Sequence, residues 1–418
     1  MSSSQEEEEE GVTLDFDVGF MNDLLDDVEE EAKPNLTRCA TRKELNALTQ
    51  HIGGLEKWRL VDKDFKIRML GYLDYASRVK LGRCSKTDYA LVNETKISVN
   101  RIEMVDDEKH HYQLQEDPFD NVVVGVQFTE AYNGGDRFEL IFSQLGEHTQ
   151  IRWMKYVPRQ RPVPQALIRE NCDYYEEAVK FAEHWMKRAN FKLKGIKVEM
   201  HKYPMASSIV KSLPACTDVR IGVSSEPEFH WWLEKVPEHL ESLQLVTPYN
   251  DRDTFTLSSP SLLARPQIVN ASRFYFWCRA AFTDDQFLGL RARRMSFDAT
   301  AALTDDGINA FLRRWARGDG VDGFKEALLW STREVSQERV LRGLDVRPWD
   351  EAFEEEARGF CGDFKRVCGA GTAQFQISSR RARFDTLTVA FYDSHVAALA
   401  TGTAHMTNGR THTCYGIP

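Results

Sequence analysis

Apolar residues recur along the chain with two different periods, and the change from one to the other divides it. In Asp64–Asp74, DFKIRMLGYLD, the residues Phe65, Met69 and Leu73 fall at i, i+4 and i+8 with Leu70 beside them. That spacing predicts one apolar stripe on a short helix. Further short helices are expected around Arg78–Cys84 and Asp88–Val92, and another in RKELNALTQHI before the Gly53-Gly54 pair. So few short helices bury little apolar surface by themselves, so they must lean on a neighbour in the same chain or on another protein.

From Lys96 to Tyr156 the period becomes two. Ile97, Val99 and Ile102, then VVVGVQF, FELIF and QIRWM, read as antiparallel strands joined by hairpins. KYVPRQRPVP breaks the pattern, and a single long helix is expected from about Pro164 to Ala189, with Tyr175, Val179, Ala182, Trp185 and Met186 on its buried face. Beyond Lys194, the strand-like runs GIKVEM, DVRIGV, LESLQL, SRFYFW and RRMSF alternate with helical or loop segments. AFTDDQFLGL and ALTDDGINAFL repeat one design 21 residues apart, each with an N-cap Thr or Asp ahead of an apolar helical run. Units of this size match leucine-rich-repeat geometry, in which each unit buries its face by stacking on neighbours. The period is irregular, so the expected form is a degenerate solenoid or an α/β layer.

Composition changes the picture at one end only. The 418 residues are 42% hydrophobic and 28% charged, an ordinary globular balance, and no run reaches the length of a membrane span. The net charge of −10 is concentrated: residues 1–33 carry thirteen acidic residues against Lys33, a local −12 that leaves the rest at +2. A near-neutral remainder lacks the basic footprint of a nucleic-acid binder. Residues 1–37 read as an acidic, low-complexity tail, in which Phe20, Leu24 and Val28 keep helical spacing. MSSSQEEEEE has neither the basic start nor the apolar run of a signal peptide, so the expectation is an intracellular protein, cytoplasmic, nuclear or both. The eight cysteines are scattered without a CxxC pair and read as small core residues.

Each motif for chemistry meets a plainer reading. Gly318-Asp-Gly-Val-Asp-Gly323 matches GxGxxG, but a helical pattern precedes it and a strand-like run follows, the reverse of a dinucleotide site; a glycine C-cap accounts for it. Cys361, Cys368, His395, His405, His412 and Cys414 gather near the C-terminus with spacings of no common zinc site. His230-Trp231-Trp232 reads as the end of a core or interface strand. No GxSxG, Walker A or HExxH run is present, so no catalytic residue, metal or cofactor is expected.

Trp58–Val92 resembles an F-box. The residues that carry the likeness are Val61, Asp62 and Asp64, then Met69-Leu70, Leu73-Asp74, Leu81, Cys84-Ser85-Lys86 and Tyr89. Asp62 stands where the family usually has proline. Proline would pre-organise the first helical turn, whereas aspartate serves the helix N-terminus electrostatically. Downstream, AFTDDQFLGLRARRMSF and LTDDGINAFLRRWARG are similar to the F-box-associated type 2 domain of the F-box group expanded in nematodes, with Ile308, Asn309, Phe311, Leu312, Trp315 and Gly318 at the recurring positions. SSRRARFDTLTVAF corresponds to that domain's later segment, without its Asp-Gly.

Pattern and resemblance together give an α+β and α/β protein: a disordered acidic tail (1–37) from composition, an antiparallel strand-rich segment (96–157) and irregular leucine-rich-repeat-like units from periodicity, and, as the resemblance implies, a helical F-box (55–95) and an F-box-associated domain (164–418). It implies a substrate-recognition subunit of a Skp-cullin-F-box ubiquitin ligase, not itself an enzyme. Its F-box would dock a Skp-family adaptor, and through it a cullin, by Val61, Asp62, Phe65, Met69, Leu70, Leu73, Leu81, Cys84 and Ser85; the C-terminal domain would hold a target protein. No membrane or nucleic acid is expected as partner. The rival readings are a binding scaffold unconnected to ubiquitin and a hydrolase or transferase with a site assembled from distant residues.

Overall fold

The computed structural model describes residues 58–73, 75–106, 121–128, 137–155, 165–188, 191–200, 203–213, 216–247, 255–331, 333–358, 373–380, 385–407 and 410–415. The acidic tail, the RKELNALTQHI segment, Asp74, the proline-rich break and Cys361 and Cys368 lie outside them. The chain divides into two compact units, one of Met1–Ser98, Phe128–Gly135 and Ala189–Lys192, the other of Val99–Gln127, Asp136–Arg188 and Leu193–Pro418.

The first unit contains α1 (Lys63–Gly71), α2 (Tyr75–Cys84) and α3 (Lys86–Glu94). Asp62 is the N-cap of α1, its carboxylate accepting from the Asp64 and Phe65 backbone N–H groups at 2.9 and 3.4 Å. The aspartate thus satisfies helix-start donors that a proline there would leave to water. Ser85 caps α3 by accepting from the Asp88 N–H at 3.1 Å, while its hydroxyl donates to the Asp88 carboxylate at 2.6 Å. The same buried carboxylate receives the Trp58 indole N–H at 2.9 Å, which ties the entry of the unit to its last helix.

The second unit takes β1 (Ile97–Asp106) from Val99 onward, and this strand pairs with β2 (Asn121–Phe128), which belongs to the same unit up to Gln127. β2, β3 (Arg137–Leu145), β4 (His148–Lys155) and β5 (Gln165–Arg169) follow as an antiparallel meander. The long helix expected over 164–189 is therefore shorter. QALIR is spent on pairing with β4, and α4 (Tyr174–Met186) starts only after Asp173, whose carboxylate accepts from the Tyr175 and Glu176 N–H groups at 2.9 Å. Val179, Ala182, Trp185 and Met186 are buried as their spacing predicts, and Phe181 packs on Phe142 of β3 with ring centroids 5.8 Å apart.

β1 also pairs with β6 (Phe191–Glu199), which starts the repeating part. There follow β7 (Asp218–Gly222), α5 (Glu226–Leu233), β8 (Ser242–Val246), β9 (Thr256–Leu257), α6 (Pro260–Leu263), α7 (Pro266–Val269), β10 (Arg273–Ala280), α8 (Asp284–Gly289), β11 (Arg294–Ala299), α9 (Asp305–Arg317) and β12 (Glu326–Trp330). β6, β7, β8, β10, β11 and β12 are parallel neighbours in chain order, with Gly195, Asp218, Ser242, Arg273, Arg294 and Glu326 in one register row. Members of that row are 21 to 32 residues apart, so strand and helix units of uneven length follow one another along one large mixed sheet. The next row, Ile196, Val219, Leu243, Phe274, Met295 and Ala327, is buried throughout. His230-Trp231-Trp232 belongs to helix α5 instead of a strand end, because Ser225 caps and Pro227 initiates a helix there. Gly318 closes α9 at φ 85°, and β12 follows, so the GxGxxG run is a C-cap and a loop.

One device recurs between successive helices. An acidic residue in the first helical position accepts the backbone N–H of the next helix's N-cap residue. Glu226 takes Ser259 at 2.8 Å, Asp284 takes Thr304 at 2.8 Å, and Asp305 takes Ser336, the N-cap of α10 (Gln337–Leu341), at 3.2 Å. Where the first position is Pro260, its carbonyl instead accepts from Gln286 Nε2 at 3.2 Å. Gly307 is required beside Asp284, because a Cβ there would meet the carboxylate oxygen at 2.1 Å. Asp305 also holds Arg333 at 2.6 Å. Asp305→Ala is therefore expected to cost roughly 1.5–3 kcal/mol in denaturant unfolding, since it strands charge-assisted donors. Asp306→Ala, which removes an exposed pair with Arg342, should change stability by less than about 1 kcal/mol.

The parallel run ends on an antiparallel strand. β12 pairs with the first part of β16 (His395–Thr407), after the intervening α10, β13 (Val346–Pro348), α11 (Glu351–Arg358), β14 (Ala373–Ser378) and β15 (Thr386–Phe391). β13 to β16 then continue antiparallel, and β17 (Arg410–Tyr415) pairs with the far half of β16. Asn309 reaches from α9 to donate to the Val340 and Arg342 carbonyls at 2.7 and 3.0 Å, satisfying the end of α10.

Candidate functional site

The residues predicted to dock a partner divide into two groups in the three-helix unit. Leu70 is fully buried and forms a small core with Leu91 and Val92, on which Leu73, Leu81 and Ile67 pack. Leu70 is thus committed to holding the helices together, while Leu73, Leu81 and Ile67 remain only partly buried. Phe65 is 51% exposed on α1, Asp62 and Cys84 are exposed, and Val61, Met69 and Ser85 are half-buried. The apolar stripe of α1 is thus split, with Leu70 turned inward and Phe65 outward.

Two exposed apolar residues escaped the stripe, Leu60 at 84% and Tyr72 at 88% exposure. They flank α1 in turns, where helical periodicity gives no signal. With Phe65 and Tyr89 they leave a unit of few residues carrying several large apolar side chains in water.

The second unit has its own candidate face. Opposite the buried rows, β6 to β12 carry Lys197, Arg220, Gln244, Tyr275, Ser296 and Leu328, with Trp277 exposed further along β10. Charges there are paired, across strands for Arg273 with Asp218 at 3.2 Å and Arg220 with Glu199, and along β6 for Lys197 with Glu199 at 3.4 Å. Burial raises the Glu326 carboxyl, against the lowering influence of Arg294. At the β12 end, His395 lies in a stack between Trp330 and Tyr392, with ring centroids 4.3 and 4.2 Å away.

An uncharacterized F-box protein of Caenorhabditis elegans is 40% identical to this chain over 394 residues, covering 94% of this chain and 100% of that protein. The chain belongs to the F-box protein family. No protein-family model and no solved structure matches it.

Burial, with Asp218 nearby, pushes the Cys216 thiol up to about 12, and burial followed by Asp298 and Glu226 raises Cys278 as well. Neither is a nucleophile near neutral pH. A cavity of about 680 Å³ beside the β3–β4 turn includes Cys172, whose thiol donates to the Glu170 carbonyl at 3.2 Å. The Glu183 carboxylate, buried in α4, accepts from the Tyr203 and Ser208 hydroxyls and the Ile209 N–H, and so pins the loop before β7. Of the C-terminal cysteine and histidine group, His395 is in the aromatic stack, and His405 and His412 are cross-strand partners by backbone register. Among the described residues no group of three or more His, Cys, Asp or Glu is placed to hold a metal ion, and no helix is long and apolar enough to cross a membrane.

Proposed function

We propose that this F-box protein is the substrate-recognition subunit of a Skp-cullin-F-box ubiquitin ligase. The three-helix unit docks a Skp-family adaptor, and through it a cullin, while residues 164–418, read as an F-box-associated type 2 domain, hold a target protein. The observation that carries the docking is the division of the apolar residues, Leu70 holding the trio together and Leu60, Phe65, Tyr72 and Tyr89 left on its surface. Each large apolar side chain buried against a partner contributes about 1.5–3 kcal/mol, and several together exceed the ordering cost of association. Ubiquitin transfer belongs to the partners, and this chain supplies proximity, holding the target where the reaction is effectively intramolecular.

Adaptor pull-down tests the reading. Phe65→Asp places a charge on the exposed surface without touching the Leu70 core, so the variant should stay folded and lose capture of the Skp-family adaptor by roughly tenfold or more, the equivalent of ~1.4 kcal/mol or above. Undiminished capture would remove α1 from the docking surface.

A further inference from the structure

We infer that the acidic N-terminal segment Phe20–Glu31 folds back as an amphipathic helix onto the exposed side of α1 and covers the docking surface; that an adaptor docks there rests on the function proposed above. The seat is a single ridge. Phe65, Arg68 and Tyr72 stand at i, i+3 and i+7, so they line one side of the helix and its C-cap. Phe65 is 51% and Tyr72 88% exposed, and Arg68 between them is exposed too, with no ion pair among the described residues. The surroundings are basic, since residues 58–98 hold nine Lys and Arg against five Asp and Glu, a net +4. Carboxylates of this unit are engaged within it. Asp62 caps α1, Asp88 is buried against Trp58 and Ser85, and Glu94 pairs with Lys63 at 2.8 Å. Arg59, Arg68 and Lys86 are left exposed to water.

The occupant has the complementary pattern. Residues 1–57 lie outside those described, so its features are those of the sequence. Phe20, Leu24 and Val28 recur at i, i+4 and i+8, and Asp23, Asp27 and Glu31 keep the same interval beside them. An apolar stripe edged with carboxylates matches an aromatic ridge with a guanidinium in it. Phe20 and Leu24 leave water against Phe65 and Tyr72, while the carboxylates meet Arg68 and the positive surroundings. Charge favours this seat over long range as well, a local −12 in residues 1–33 facing the +4 of the unit. Reach is sufficient. Thirty positions separate Val28 from Trp58, about 45 Å even with all of them helical. The radius of gyration expected for some forty residues is only about 9 Å. Tethering makes a weak contact effective, because a flexible tether sets an effective concentration on the order of 1 mM. A contact with Kd of about 100 µM between separate molecules then closes roughly ten chains for each left open, and weakens adaptor capture about tenfold.

Carbodiimide cross-linking of the full chain tests this, since it joins a carboxylate to a lysine amine only where the two touch. In dilute protein the expected product is a link within one chain from Asp23, Asp27 or Glu31 to Lys66 or Lys86, weakened by salt. The Lys63–Glu94 link reports that the unit is folded. Leu24→Asp, which interrupts the apolar stripe, should reduce the tail links by about tenfold and raise capture of the Skp-family adaptor by a similar factor. Glu6→Gln with Glu8→Gln, removing two charges outside the stripe, should leave both readings unchanged. Absence of tail links in the parent chain, or their persistence in Leu24→Asp, overturns the inference. An equal loss in the Glu6 and Glu8 variant overturns it too, by showing a nonspecific attraction of charges. Links found only between two chains assign the seat to a second copy and overturn the fold-back. Tail links lost in Leu24→Asp with adaptor capture at the parent level overturn the covering of the docking surface. The links are read without an adaptor, so links as expected with no adaptor captured by any variant would uphold the fold-back and count against the proposed function.

Discussion

Leu70→Asp is expected to unfold the three-helix unit and abolish capture of a Skp-family adaptor, although Leu70 itself faces no partner. Its side chain is fully buried against Leu91 and Val92, with Ile67, Leu73 and Leu81 packed around them. A carboxylate in that position has no hydrogen-bond donor among those neighbours. Burying it would cost several kcal/mol, and protonating it instead also costs free energy. A unit this small has little surplus, since short helices bury a modest fraction of their surface and whole domains are held by about 5–15 kcal/mol. Protease should then cut rapidly between residues 58 and 98 while the second unit keeps its own unfolding transition. Phe65→Asp separates the two causes, because it should lose the adaptor with the protease pattern of the parent. A Leu70→Asp chain that resists protease and still captures adaptor would show that the core lies elsewhere.

Phe274→Ala should be the costliest truncation in the second unit, at about 3–5 kcal/mol. Phe274 is fully buried on β10. Its ring lies 5.0 Å from Phe276, 6.0 Å from Phe297 and 6.2 Å from Phe282, so the change empties the meeting point of two repeats. The flanking strands are fixed on both sides of β10 by hydrogen bonds and cannot close the gap. Trp277→Ala, three residues on and on the other face, removes a side chain already 42% exposed and should cost far less. Equilibrium denaturation of the two variants side by side measures the difference; equal losses would contradict the assignment of faces.

Much of this was legible in local pattern. Helices α1, α2 and α3 overlap the three stretches expected to be helical, and Thr283 and Thr304 cap α8 and α9 as the TDD repeats predict. The solenoid strands lie at the predicted alternations because each has one wet and one dry face. Local pattern failed where the partner was distant. QALIR has helix-compatible residues and becomes β5 only because β4 offers a free edge. His230-Trp231-Trp232 is apolar enough for strand or helix, and Ser225 with Pro227 decides for helix. At the candidate dock, the period put Phe65 and Leu70 on one stripe, and packing turned them to opposite sides.

Apart from QALIR and His230-Trp231-Trp232, the sequence by itself determined the kinds of elements, together with their order, the TDD caps and the family resemblance, since these depend on residues a few positions apart. Tertiary structure alone decided which apolar side chains are core and which remain for a partner. It also decided that Glu226, Asp284 and Asp305 each hold the next helix, and that Arg313, Arg317 and Arg380 share one cleft. The physical reason is common to all three. Burial and charge pairing are properties of neighbours in space, and neighbours separated by about 20 to 70 residues leave no periodic trace in the chain.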